Sequence, residues 1–103
     1  MTGFQRIASL SSLPPGTSRE VELNGREIAL FNVGGTLYAV SNACPHRSAP
    51  ICEGLVEGTE VICPYHFARF ELRSGRVLEG PAEEGLATFE VRVDGDDVLL
   101  RAE

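Results

Sequence analysis

Cys44-Pro45-His46 and Cys63-Pro64-Tyr65-His66 decide how this chain folds and what it holds. The two pairs use two of its three cysteines and both of its histidines. Thiolate and imidazole donors together select zinc or iron–sulfur chemistry over hard-cation binding. Arg47 to Ile62, 16 residues, separates the pairs, which is too long for one turn. The fold must therefore bring two loops together around the metal.

Working outward, the stretch from about Ser41 to Pro81 is rich in Cys, His, Pro and Gly. It reads as a small loop-built lobe set into a connection between strands, and loops on a rigid scaffold are where sites usually sit. Turn signals punctuate the flanks: Pro14-Pro15-Gly16, Asn24-Gly25, Gly34-Gly35, Ser74-Gly75 and Asp94-Gly95. Between them lie β-rich runs at Arg19–Leu23, Glu27–Val33, Thr36–Val40, Ala87–Val93 and Val98–Arg101. Asn-Gly and Asp-Gly between alternating apolar residues signal hairpins. Phe89-Glu90-Val91-Arg92-Val93 alternates with period two, as a strand with one buried face does. Ser11-Ser12-Leu13-Pro14 suits a brief helical turn and no more. The pattern predicts an all-β fold, one domain over residues 1–103, with the metal-binding lobe at about 41–81.

The 103 residues and 11.1 kDa suffice for a modest core without a staple. No run of about 18 apolar residues is present, so no membrane-spanning helix is expected. The first ten residues, MTGFQRIASL, lack the basic and apolar regions of a signal peptide, and a cytoplasmic location is expected. That setting and an odd cysteine count argue against a disulfide framework. The net charge is −6 and every basic residue is arginine. An acidic surface disfavours nucleic acid and anionic membrane. It suits a partner with a basic docking patch, and it serves solubility equally well.

Two thiolates and two imidazoles can hold one tetrahedral zinc or one [2Fe–2S] cluster. A metal-free alternative would leave the cysteines in a reduced core and the histidines in turns. Cys2His2 zinc fingers place both cysteines in one pair and both histidines in the other. Here each pair mixes one of each. A cluster needs that order if one iron is to take a cysteine from each loop and the other iron both histidines.

At these residues the chain resembles the Rieske [2Fe–2S] proteins, whose signature is Cys-x-His, a spacer, then Cys-x-x-His. The likeness extends through Arg69-Phe70-Glu71-Leu72, Ser74-Gly75-Arg76-Val77 and Gly80-Pro81-Ala82, where the chain is similar to small soluble Rieske ferredoxins. The resemblance implies a Rieske-like fold of stacked antiparallel sheets with a small loop-rich cluster-binding lobe. It implies one [2Fe–2S] cluster, with Cys44 and Cys63 on the inner iron and His46 and His66 on the outer. Replacing two thiolates by neutral imidazoles makes the oxidised centre less negative and reduction easier. Rieske centres accordingly lie at about −150 to +300 mV, against about −400 mV for plant-type ferredoxins. The second nitrogen of each imidazole should couple reduction to protonation.

Departures from the pattern narrow the subclass. High-potential Rieske proteins of respiratory membranes carry a disulfide between the loops; Ala49 and Tyr65 stand at those positions here. The hydroxyls that donate to cluster sulfurs in that group fall at Ala68 and Phe70, so a potential in the lower part of the range is expected. Phe67 and Ser48 replace common glycines. Pro45, Pro50 and Pro64 stiffen the loops. Cys52 is either a fifth ligand, a redox thiol or a half-buried spacer. Arg47 and Arg69 either tune the potential, meet a partner or are solvated. Glu53, Glu57, Glu60, Glu79, Glu83 and Glu84 are candidates for an acidic rim.

Function follows partly by elimination. Both histidines are already spent on the pairs, so no mononuclear oxygenase iron can be built. A G-x-G-x-x-G fingerprint is absent, so a nicotinamide-binding reductase is not expected. What remains is a non-catalytic one-electron carrier. The resemblance implies transfer from an NAD(P)H-dependent flavoprotein reductase to a terminal ring-hydroxylating oxygenase, by transient docking of a monomer. A small Rieske-like subunit of a nitrite reductase and a zinc-stabilised binding module are the alternatives.

Overall fold

The computed structural model describes residues 3–42, 51–63, 68–79 and 85–101. Eleven strands, all paired antiparallel, build three sheets among these residues. The central sheet is formed by β2 (Ser18–Leu23), β3 (Arg26–Val33), β4 (Thr36–Ser41) and β9 (Thr88–Phe89), in that order. On one side lies β1 (Phe4–Ser9), paired with β11 (Asp97–Arg101), which pairs in turn with β10 (Val91–Asp94). On the other lie β5 (Leu55–Glu57), β6 (Glu60–Ile62), β7 (Arg69–Glu71) and β8 (Val77–Glu79). The expected all-β, stacked antiparallel architecture is what the chain adopts.

β3 shows why three layers form. Ile28, Ala29, Leu30 and Phe31 are all buried, an unbroken apolar run that marks a strand covered on both faces. Because side chains alternate, Ile28 and Leu30 pack with Ala8, Leu13, Val98 and Leu100 under the β1–β11–β10 sheet. Ala29 and Phe31 point the other way and pack with Ile51, Val61, Cys63, Phe70 and Leu72 under the β5–β8 sheet. Each large side chain withdrawn from water here contributes about 1.5–3 kcal/mol.

Asn24 (φ 54°) and Gly25 (φ 80°) make the tight β2–β3 hairpin, where two successive positive φ values match the strand twist. The run expected over Ala87–Val93 is divided at Glu90: Thr88–Phe89 pairs with β4, and Val91–Asp94 pairs with β11. The brief helical turn occurs as a 3-10 turn at Leu10–Ser12. β1 and β5–β8 carry no signal strong enough to read from sequence. Three-residue strands are too short to display period two, and β1 is specified by a partner at the other end of the chain. No helix among the described residues is long and apolar enough to cross a membrane.

Candidate metal centre

Cys63 follows β6 directly and is fully buried. The β6–β7 ladder pairs Ile62 with Arg69, and the Cys63 N–H donates to the Ala68 carbonyl at 2.8 Å. These bonds pinch the base of the loop from 63 to 68, on which the Cys-Pro-Tyr-His pair lies. His66, Cys44 and His46 lie outside the described residues, so the geometry of the full ligand set rests on the segments that flank them.

Those flanks converge. Asn42, buried at the end of β4, donates its N–H to the Glu27 carbonyl at 2.9 Å. Its own carbonyl accepts the Ile51 N–H at 2.7 Å, and its side-chain oxygen accepts the Cys52 N–H at 2.8 Å. One residue thus ties both ends of the first ligand loop. Ile51, from the 3-10 turn Ile51–Glu53, is packed in the same apolar cluster as Cys63 and Ala68. The two loops therefore leave one patch of core. Asn42 was not singled out from sequence, and its only signal was an amide residue two positions before the first ligand pair.

A sulfur taken wholly out of water, three residues before a histidine in the sequence, suits a soft-metal site. A coordinating thiol is deprotonated by its metal, which compensates for the cost of burying it. Cys52 is different. Burial, then the charges of Glu20 and Glu53, push its thiol above the ordinary value of 9.0. It is half-buried, and its carbonyl accepts the Ser18 hydroxyl at 2.6 Å. A thiol with a raised pKa makes a poor thiolate, so its surroundings favour the spacer role over a reactive thiol or fifth ligand.

Ala68 and Phe70 are both fully buried, and neither offers a hydroxyl donor. Arg69, between them, points outward and contacts three carboxylates: Glu60 at 2.8 Å, Glu57 at 3.2 Å and Glu79 at 3.2 Å. Their hydrogen bonds raise its guanidinium further above its ordinary range. Three of the six candidate rim glutamates are thus brought together, Glu53 lies near Cys52, and Glu83 and Glu84 fall outside the described residues.

An all-β scaffold whose described flanks bring the bases of two Cys/His segments to one patch of core, with a buried sulfur at the base of one, fits a domain built around a soft-metal or iron–sulfur centre. The Rieske [2Fe-2S] domain model matches residues 3–90, and the chain belongs to that family. It is 38% identical over 96 residues to the ferredoxin component of the naphthalene 1,2-dioxygenase/salicylate 5-hydroxylase systems of a Ralstonia species, covering 93% of this chain and 92% of that protein. The ferredoxin-length chain of a solved complex of reduced oxygenase and oxidized ferredoxin in carbazole 1,9a-dioxygenase superposes with a TM-score of 0.90. That match has 30% identity and covers 100% of this chain and 96% of that one. A solved chain described as the small subunit of an NADPH nitrite reductase superposes with a TM-score of 0.85, at 28% identity, covering 96% of this chain and 98% of that one. The protein is a Rieske-type ferredoxin: its cofactor is a [2Fe–2S] cluster, and it carries electrons rather than catalysing a reaction.

Proposed function

We propose that the chain is the ferredoxin component of a ring-hydroxylating dioxygenase system, with Cys44 and Cys63 on the inner iron and His46 and His66 on the outer. Residues 1–103 act as one domain whose cluster lobe spans about 41–81. The bound cluster supplies one-electron acceptance and release. Everything else the chain does is positional: Asn42 and the Cys63–Ala68 bond hold the loop bases, and the apolar cluster around Phe70 excludes water beneath them. The observation that carries this reading is the burial of Cys63 in the same core cluster as Ile51, the residue at the end of the first ligand loop.

The electron donor is an NAD(P)H-dependent flavoprotein reductase and the acceptor a terminal oxygenase, both met transiently by a cytoplasmic monomer. The surface supports transience over permanent assembly as a nitrite reductase subunit. Among the described residues the exposed large apolar side chains are Leu55, Leu78 and Val93. The first two lie at opposite edges of the β5–β8 sheet and the third on β10, not in one patch. A fixed subunit would present a larger apolar interface.

Purified protein should be coloured, contain iron and labile sulfide, and give a Rieske-type EPR spectrum on reduction. It should accelerate electron flow from a flavoprotein reductase to a naphthalene-type oxygenase, less so as salt screens the encounter. Colourless protein with stoichiometric zinc and no labile sulfide would reject this function. Isolation only in a salt-resistant complex with a nitrite reductase would favour the subunit reading.

A further inference from the structure

The outward face of the β5–β8 sheet carries a charge arrangement that strand pairing does not require. Leu55, Ile62, Arg69 and Glu79 form one cross-strand row, and Glu57, Glu60 and Glu71 form the outward row behind it. Arg69 bridges the two. Its Nη1 donates to Glu60 Oε1 and Glu57 Oε1, and its Nε donates to Glu79 Oε1. These partners sit on β6, β5 and β8, so a single side chain on β7 ties all four strands.

The location is specific. Arg69 is paired with Ile62, the residue before Cys63, and follows Ala68, which closes the loop base. An exposed arginine needs only one carboxylate, and one such pair is worth little to stability. Gathering three leaves two negative charges in excess on the outward face of this sheet, where they oppose each other.

We propose that Arg69 is a positioning residue for electron transfer: it fixes Glu79 in its own row, next to the base of the 63–68 segment, and Glu57 and Glu60 in the row behind, so that the cluster is reduced against a held negative field. The proposal rests on the assignment of Cys63 and His66 as ligands. Reduction adds negative charge, so the excess carboxylates hold the midpoint down and the guanidinium partly offsets them. For a surface charge under partial screening, the expected change is roughly twofold to fourfold in the reduced-to-oxidised ratio at fixed ambient potential, per charge removed.

Spectroelectrochemical titration of the full-length, cluster-loaded protein tests this with three variants. Arg69→Gln should lower the ratio, the double change Glu57→Gln with Glu79→Gln should raise it, and Arg69→Lys should keep it near wild type. All three should retain the wild-type EPR signature. Unmoved midpoints in Arg69→Gln and in the double variant, or shifts of the same sign in both, would overturn the proposal. Should Arg69→Gln fail to hold a cluster, the sign of the double variant decides alone. A wild-type protein lacking the Rieske spectrum overturns the ligand assignment together with this role, whereas a normal spectrum with unmoved midpoints removes the role of Arg69 only.

Discussion

Asn42 holds Cys52 by its side chain, accepting the Cys52 N–H at 2.8 Å, while its backbone carbonyl takes the neighbouring Ile51 N–H at 2.7 Å. The first ligand loop is closed at its base by this one buried amide. Removing a partner from a buried donor costs about 1–3 kcal/mol. Asn42→Ala should therefore lower stability by about that amount and speed cluster loss, followed as bleaching of the visible bands on warming. Asn42→Asp keeps an acceptor for Cys52 and should lose less. Equal losses in the two variants would show that the side-chain oxygen is not what matters.

Cys63 and Cys52 should behave as opposites. Cys63→Ser is expected to remove iron and labile sulfide from the purified protein, because it alters the sulfur at the loop base. Cys52→Ala should retain both, since Cys52 stands outside the two Cys/His pairs and its side chain meets Asn42 and the apolar cluster instead. Metal and sulfide assays on the two proteins check this, and full cluster content in Cys63→Ser would contradict it.

The thiol of Cys52 also gives stability a pH dependence. Burial and the nearby Glu20 and Glu53 raise it above 9.0, so the folded protein keeps the proton after the unfolded chain has begun to lose it. Its contribution is therefore whole below the ordinary value and declines as pH climbs through the raised one. Denaturant midpoints measured from neutral pH to above pH 9 should fall more steeply in the native protein than in Cys52→Ala. Parallel profiles would count against it.

Ala68 and Phe70 are buried apolar residues, and by the family resemblance they stand where high-potential Rieske proteins carry hydroxyls that favour the reduced centre. The midpoint should lie in the lower part of the Rieske range, and protein-film voltammetry reads it directly. A value well above about +100 mV would refute the expectation.

Gly75 ties the β7–β8 connection to the returning chain. Its N–H donates to the Glu71 carbonyl at 2.7 Å and its carbonyl accepts the Leu86 N–H at 2.6 Å. Its φ is +76°, and a Cβ there would press on the Leu86 backbone. Gly75→Ala should destabilise the fold by about 1–3 kcal/mol, seen as a lower thermal midpoint. An unchanged midpoint would mean that the turn adapts without strain.

Local chemistry was open to reading from the sequence alone. Donor atoms belong to residues, so Cys44, His46, Cys63 and His66 could be read as candidate soft-metal ligands before any coordinates, and the turn dipeptides with their alternating neighbours announced β structure. The unbroken apolar run Ile28-Ala29-Leu30-Phe31 reads only as part of a strand; its burial on both faces came from the structure. Only the tertiary structure decided that β1 pairs with β11, that the strand around Glu90 divides between two sheets, and that four short strands run through the stretch expected to be loop. It also decided that Asn42 closes a ligand loop and that Arg69 gathers Glu57, Glu60 and Glu79. Each of these depends on groups far apart in the chain meeting across a fold, and the energy of such meetings leaves no periodic trace in the order of residues.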